Sequence, residues 1–274
     1  MIQAKRLLQY DYLLDSQKPN PSDALSEPWA QPAEITVGPA TVSITILDTL
    51  SRLKLNDIVD GQGAVVDQPD VEDPKDRVYR LLTLIPDKET SDNDLMEALI
   101  DWLDHAPPEQ AETGRFETNA KNAPLYTMKE LLLAPGFTPA VLYGWSQEDG
   151  APVPGLVQFL TSRWGDGRVN VNTAPLEVLQ ALSPHMTLER AQILANYRAQ
   201  TPFANVQEVA NLLADWPGFP DDVGSLIVTR SPHFTVDLVS TIGKTETARG
   251  SIRHAIAYVL RGQDQTSVLF LDFQ

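Results

Sequence analysis

The sequence predicts an α+β protein in which a mostly helical domain interrupts a sheet. A helical pattern and one alternating strand pattern come first, a long helical block follows, and alternating patterns return at the end. The chain therefore leaves a sheet and comes back to it. We place the first part of the sheet domain at residues 1–72, the inserted helical domain of about 160 residues at 73–231, and the last strands at 232–274.

The first element is an amphipathic helix over residues 4–14. Its apolar residues recur at spacings of three and four, as on one face of a helix. They are Leu7, Leu8, Tyr10, Leu13 and Leu14. No capping residue precedes Ile2, which predicts that the helix continues upstream in the natural protein. Four prolines between residues 15 and 33 then end the helix.

The clearest strand of the first half covers residues 41–48. Val42, Ile44 and Ile46 alternate with hydroxyl residues, which is the period of a half-buried strand. One side of this strand should face the core and the other should face water.

Four helices are predicted in the central block. Ser91, followed three residues later by an acid, has the form of a capping box and opens a helix that runs to Asp104. Thr173, Thr187 and Asn205 are each placed to cap a further helix.

Three strands are predicted at the end of the chain. Alternating patterns cover residues 234–242, 253–260 and 267–273. Residues 243–250 and 262–266, which contain glycine, supply the turns between them.

Composition excludes several classes of function. The 274 residues include 21 basic and 37 acidic side chains, so the net charge is -16 and nucleic acid is an unfavourable partner. With zero cysteines, neither a disulfide nor a thiolate metal site can form. No apolar run approaches the roughly 18 residues of a membrane span. The four histidines are isolated and no nucleophile motif occurs, so we predict that the chain is not an enzyme.

The segment 169–213 is similar to helix-hairpin-helix modules, some of which bind DNA phosphates through a glycine-rich hairpin. Here the hairpin at residues 182–187 contains no glycine, and Arg190 and Arg198 are the only basic residues of the segment. A packing motif is the favoured interpretation. A helix-hairpin-helix DNA-binding protein is the alternative, and a hydrolase is a third hypothesis that no residue pattern supports.

An acidic cluster follows the helix that ends at Asp104. It comprises Asp101, Asp104, Glu109, Glu112 and Glu117. Calcium takes six to eight oxygen ligands, and a polar loop with several carboxylates is able to wrap around one. The spacing is not that of an EF-hand, so a solvated acidic loop is the alternative.

Several short signatures occur in a shared order, and together they resemble the GspK family of minor pseudopilins of the type II secretion system. They are Leu25–Pro32, Ile46–Asp48 followed by Arg52–Asn56, Asp101–Asp104, Lys129–Leu131 and Val169–Ala174. The resemblance implies a pilin-like fold, with a long N-terminal helix on an antiparallel sheet and a large helical insertion. It also implies a hydrophobic segment upstream of Met1, a periplasmic location and an anchor in the bacterial inner membrane.

The resemblance further implies a non-enzymatic subunit at the tip of a pseudopilus that supports protein export across the outer membrane. The implied partners are GspI and GspJ, with GspH and the pseudopilus shaft as further candidates, and nucleic acid is not among them. A subunit that caps a fibre needs only one docking surface. We expect the N-terminal helix and the strand at 41–48 to form this surface, which would be an exposed edge of the protein.

The resemblance also bears on calcium, because the family's acids at this loop serve that ion. Asp101 and Asp104 match the family pattern, whereas Ala106 stands where a third Asp is expected. Glu112 is kept, but Thr113 replaces the Asp that follows it. Calcium is therefore an optional ligand and no cofactor is required. The candidate metal ligands are Asp101, Asp104, Glu112 and Glu117.

Overall fold

The computed structural model describes most of the chain. The described residues are 1–67, 73–85, 90–105, 120–147, 150–216, 218–219, 223–243 and 250–273. The α-helices are α1 (Ile2–Asp15), α2 (Pro74–Leu84), α3 (Asp92–Leu103), α4 (Pro139–Tyr143), α5 (Leu176–Ala181), α6 (Leu188–Gln200) and α7 (Val206–Leu212). Short 3-10 helices cover Pro28–Ala30, Thr49–Ser51, Leu55–Ile58, Met128–Leu133 and Leu156–Gln158.

Within the described residues, the strands form one main sheet and three small pairs. The main sheet contains β1 (Ala33–Val37), β2 (Ala40–Asp48), β9 (His233–Ile242), β10 (Ser251–Arg261) and β11 (Thr266–Phe273). The two-stranded pairs contain β3 (Leu53–Lys54) with β6 (Leu160–Thr161), β4 (Gly144–Ser146) with β5 (Pro152–Pro154), and β7 (Val169–Asn170) with β8 (Ile227–Val228).

The main sheet is antiparallel throughout, in the order β1-β2-β9-β10-β11. Two strands come from the start of the chain and three from its end, so the chain leaves the sheet after β2 and returns at β9. The α+β class and the antiparallel sheet are confirmed. Among the described residues, no helix combines the length and the apolarity needed to span a bilayer.

The helix α1 packs across one face of this sheet. Ala4 and Leu8, one turn apart, are fully buried on its inner side. Beneath them lie rows of directly opposed residues, of which Ile46, Val236 and Ala257 form one. This apolar packing fixes the position of α1 over β2, β9 and β10.

Trp29 closes the same core from the loop after α1. Its indole ring lies edge-on to Phe234, with ring centroids 5.0 Å apart, and it is almost fully buried. The indole Nε1 donates to Glu27 at 2.8 Å, so the polar edge of the ring also has a partner. The tryptophan signature of the early loop is thus a packing element.

The helical part between β2 and β9 has a separate and larger hydrophobic core. This core begins at Leu53 and includes Leu55, Ile58 and Val59, which precede the predicted boundary at residue 73. The domain boundaries stay predictions, but the packing joins the segment 53–59 to the helical part.

The helical part contacts the sheet on the face opposite α1. Trp164 stacks on Tyr258 of β10 at 5.4 Å between ring centroids, and Phe270 of β11 lies beside both rings. Tyr258 and Phe270 are directly opposed across the two strands, so they share this face. The two faces of the sheet therefore have different neighbours.

Most predicted elements are present. The caps at Ser91, Thr187 and Asn205 are confirmed, because each side chain accepts the backbone N–H three residues later. Strand β1 was not predicted, since its five residues lie next to a proline-rich loop and carry a charge at Glu34. Its partner β2 holds it in register through five residue pairs.

Candidate functional site

The predicted calcium ligands fall only partly within the described structure. Asp101 and Asp104 lie at the end of α3, whereas Glu112 and Glu117 lie outside the described residues. Burial, together with the neighbouring charge of Asp101, raises the pKa of Asp104. These two carboxylates alone supply fewer oxygens than calcium needs. The calcium site stays a prediction.

The two arginines of the helix-hairpin-helix segment are engaged in hydrogen bonds within the chain. Arg198 donates to the backbone oxygens of Val171 and Ala174, and burial lowers the pKa of its guanidinium to about 10. Arg190 donates to the backbone of His185 and to the carboxylate of Asp215. These bonds favour the packing interpretation of the segment over phosphate binding.

Asp48 at the end of β2 joins the sheet to the helical part, in a group of residues that we call the Asp48 junction. Its Oδ1 accepts the Leu50 N–H at 2.8 Å. Its Oδ2 accepts the Asn170 amide and the Thr173 hydroxyl, each at 2.7 Å. All of these groups are buried, so every bond replaces one that water would otherwise make.

The predicted cap at Thr173 is wrong. Helix α5 begins at Leu176, and its N-cap residue is Pro175. The Thr173 hydroxyl donates to Asp48 instead, 125 residues away in sequence. A buried acceptor from another part of the fold replaces the local capping bond.

Asn172 fixes the same segment to the loop after α6. Its amide donates to the Phe203 carbonyl at 2.9 Å, and its Oδ1 accepts the Phe203 N–H at 2.8 Å. Asn56 makes a similar pair of bonds with Leu125, both at 2.9 Å. The asparagines of two signatures thus align distant backbone segments.

A second polar cluster, which we call the acid cluster, lies under the C-terminal half of α1. Asp11 and Asp15 continue the buried stripe of Ala4 and Leu8 along the helix. Arg261 of β10 donates to Asp11 and, at 2.7 Å, to Asp23. Sequence analysis missed this cluster, although the alternation of β10 places residue 261 on the same face as Val259.

The Asp23 side of the acid cluster contacts the chain where it returns to the sheet. Asp23 accepts the Ser231 N–H at 2.6 Å, and its own N–H donates to the Thr229 carbonyl at 2.9 Å. Asp23 is completely buried, and burial raises its pKa to about 7. The loop after α1 is therefore fixed to both β10 and the segment before β9.

The outer side of α1 carries an exposed apolar stripe. Ile2 is 71% exposed, Tyr10 58% and Leu13 53%. Positions 2, 6, 10 and 13 follow one another at helical spacing, so their side chains share a face, on which the exposed Arg6 lies between Ile2 and Tyr10. We call Ile2, Tyr10, Leu13 and Leu14 the α1 stripe.

The prediction that the strand at residues 41–48 forms an exposed edge for a partner is wrong. Strand β2 lies between β1 and β9 and is hydrogen-bonded on both sides. The edges of the sheet are β1 and β11. On β11, Leu271 is opposite Ala257 and therefore lies on the α1 side, where it is partly exposed together with Phe273.

Two family models match the chain. Both describe the type II secretion system protein K, and they match residues 51–144 and 169–215. The chain belongs to the type II secretion system protein K family.

The fold agrees with a solved member of this family, GspK. The chain is similar to a chain in "The Crystal Structure of the GspK-GspI-GspJ complex from enterotoxigenic Escherichia coli Type 2 Secretion System", with a TM-score of 0.69 and 16% identity. The match covers 100% of this chain and 94% of that chain. No curated protein matches this chain.

Membership in the protein K family confirms the resemblance read from the sequence: the chain is a minor pseudopilin of the type II secretion system. The family consists of structural components of the secretion machine. The matched range 169–215 contains Asn170, Asn172 and both arginines of the helix-hairpin-helix segment. That segment therefore belongs to the protein K fold, and the DNA-binding alternative is set aside.

Proposed function

We propose that this chain caps the tip of the type II secretion pseudopilus without enzymatic activity and so supports protein export across the outer membrane. The observation that carries the proposal is the different use of the two faces of the sheet. One face holds α1 with its exposed apolar stripe, and the helical part packs on the other. A fibre subunit propagates through two complementary surfaces, so a subunit that offers only one ends the fibre.

The proposed partners are the minor pseudopilins GspI and GspJ, with GspH and the shaft as further contacts. The solved complex to which this chain is similar contains GspI and GspJ. In this proposal the chain lies in the periplasm and is anchored in the inner membrane through a helix upstream of Met1. The α1 stripe would then continue the line of that helix toward the membrane.

The α1 stripe has the chemistry of a docking surface. Removing apolar side chains such as Ile2 and Leu13 from water contributes about 25 cal/mol per Å², before the entropic cost of association is subtracted. Tyr10 adds a large, rigid side chain of the kind that often dominates binding energy. Leu271 and Phe273 of β11 extend the apolar surface on the same side of the sheet.

We expect the double variant Tyr10→Asp and Leu13→Asp to lose its partners. Two charges placed within the contact should weaken binding by about 30-fold or more, which corresponds to about 2 kcal/mol. Size-exclusion chromatography with light scattering, on mixtures with soluble GspI and GspJ from the same system, measures the effect. The unmodified chain should be monomeric alone and form a one-to-one-to-one complex.

The matched control is Leu188→Asp on α6. Leu188 is 50% exposed, which is close to the 53% of Leu13, but it belongs to the helical part. This variant should form the complex normally. Normal co-elution of the double variant would contradict the α1 stripe as the docking surface, and filaments formed by the unmodified chain alone would contradict the tip assignment.

We further propose that calcium binds at Asp101 and Asp104 with Glu112 and Glu117. The position of Asp101 and Asp104, one turn apart at the end of α3, supports this proposal. A ligand at 100 times its dissociation constant stabilises the native state by about 2.7 kcal/mol, so the melting temperature should rise in calcium relative to chelator. Asp104→Asn should abolish the rise, whereas Asp264→Asn in an exposed turn should keep it. Equal melting temperatures in calcium and chelator would contradict the site.

A further inference from the structure

The acid cluster under α1 is short of positive charge. Among the described residues, four carboxylates face three cations in it. They are Asp11, Asp15, Asp23 and Glu27 against Lys18, Arg230 and Arg261. Asp48 lies beyond Asp23 and adds another negative charge that acts on it. Each carboxylate has a cation partner, but the four share three cations, so the cluster carries an excess of negative charge.

The cations also differ in how well they compensate the acids. Arg261 has only 1% of its side chain exposed, and it is shared between Asp11 and Asp23. Lys18 and Arg230 are 49% and 33% exposed, so water screens their charges. In the pairs with Lys18 and Arg230, the buried acid is therefore more strongly desolvated than the cation.

Three of the acids approach one another closely. Asp11, Asp15 and Glu27 each offer an oxygen, and these oxygens lie within 4.8 Å of one another. Like charges at this separation oppose full ionisation, as in paired carboxylates that share a proton. Either a proton or a bound cation has to supply the missing charge.

The contacts favour a proton. Asp15 accepts a hydrogen bond from Lys18 at 2.7 Å and faces Arg230 at 3.8 Å, so positively charged side chains already border the triad. Glu27 accepts the Trp29 and Ala24 N–H groups with the same oxygen. These donors already bind an oxygen of Asp15 and an oxygen of Glu27, which leaves fewer oxygens for a metal ion.

We propose that the acid cluster binds one additional proton in the folded chain, so that the attachment of α1 to the sheet strengthens as the pH falls from about 8 to about 5. The cluster joins α1, the loop that carries Asp23 and Glu27, the segment before β9, and β10. A proton shared among its acids removes repulsion at the place where these four segments meet. The proposal stands independently of the proposed tip function, and its test needs no partner protein.

The pKa values agree in direction. Burial raises the pKa of Asp11 to about 6, with a further contribution from Glu27, and burial raises that of Asp23 to about 7. An acid with a raised pKa binds its proton more tightly in the folded chain. Its stabilising effect is therefore complete below the unfolded value near 4 and is lost as the pH rises through the folded value. His233, whose pKa burial lowers, contributes in the opposite direction.

The test compares the pH dependence of unfolding in the full chain and in Asp11→Asn. For one proton, the unfolding equilibrium constant should rise about tenfold per pH unit between about pH 5 and pH 6.5, beyond any background from other groups. Asn at position 11 keeps an oxygen for Arg261 but removes the excess charge. This variant should lose the additional slope and be at least as stable as the unmodified chain at about pH 8.

The control is Asp264→Asn, which removes one negative charge from the exposed turn between β10 and β11. The Asp264→Asn variant should keep the pH dependence of unfolding of the unmodified chain, because both contain the acid cluster, His233 and the other titratable groups. If Asp11→Asn does not fold, Glu27→Gln serves instead, since its amide oxygen still accepts from Trp29. Carboxyl NMR titration of Asp11 should give a midpoint above about 5.

Three results would overturn the proposal. The first is an Asp11→Asn slope equal to that of Asp264→Asn. The second is an Asp11 carboxyl that titrates near its ordinary value. The third is stabilisation by calcium or magnesium at neutral pH that Asp11→Asn abolishes, because the missing charge would then belong to a metal ion.

Discussion

Arg261→Met should destabilise the protein by about 3 to 5 kcal/mol at neutral pH, the usual cost of removing one partner from a buried ion pair. The methionine fills a similar volume but leaves Asp11 and Asp23 without their shared cation. It also removes the bond to the Ser231 carbonyl at 2.8 Å. Chemical denaturation at about pH 7.5 gives the free energy of unfolding.

Arg253→Met is the matched control for Arg261→Met. Arg253 lies on the same strand and, by alternation, on the same face of the sheet, but it is exposed. Its replacement should change the free energy of unfolding by no more than about 0.5 kcal/mol. The cost of Arg261→Met should also decrease at about pH 5, because the raised pKa values of Asp11 and Asp23 favour a proton on the acid cluster there and so reduce its negative charge. Similar costs for the two variants would show that Arg261 does not hold the acid cluster.

Periodic patterns predicted most of the elements because they report which side of a segment faces the core. Strands β2 and β9, for example, alternate between a more apolar and a more polar side. The caps at Thr187 and Asn205 could also be predicted from the sequence, since a cap depends on residues only three positions apart. Local signals of this kind need no knowledge of the tertiary fold.

Long-range polar contacts could not be predicted in the same way. Arg261 meets Asp11 and Asp23 across 250 and 238 residues, and no local pattern indicates that pairing. The alternation of β10 gives the face of Arg261 but not its partner. Thr173 shows the same limit, because its hydroxyl had a plausible local role that a distant carboxylate replaced.

The docking surface was predicted in part for a related reason. The helical pattern placed an apolar stripe on α1, but a single stripe does not say which of its residues the sheet covers. The structure divides them: Leu8 is buried, while Tyr10 and Leu13 are exposed. Strand order likewise depends on pairing between distant segments, so the central position of β2 was not accessible from its own residues.

Asn170→Asp should be strongly destabilising, by about 3 to 5 kcal/mol, although the two side chains have nearly the same shape. Asn170 donates to Asp48 at 2.7 Å and to the Asp23 carbonyl at 3.2 Å in a buried site. An aspartate at this position would place a second carboxylate against Asp48 and remove one donor from each of the two acceptors. Asn211 on α7 is exposed, so Asn211→Asp makes the same chemical change and should lower the free energy of unfolding only slightly.

The reversed pair Asp48→Asn with Asn170→Asp distinguishes the Asp48 junction from a general intolerance at position 170. Asn at 48 can donate to the new carboxylate and still accept the Leu50 N–H, and Asp at 170 still accepts the Asn172 N–H. Chemical denaturation of both single variants and the double variant gives the coupling free energy. We expect the double variant to recover about half or more of the loss of Asn170→Asp, since one strong hydrogen bond returns while the bond to the Asp23 carbonyl does not. Additive losses would mean that Asp48 and Asn170 stabilise the fold independently, and that the contact between β2 and the helical part depends on the apolar residues around them.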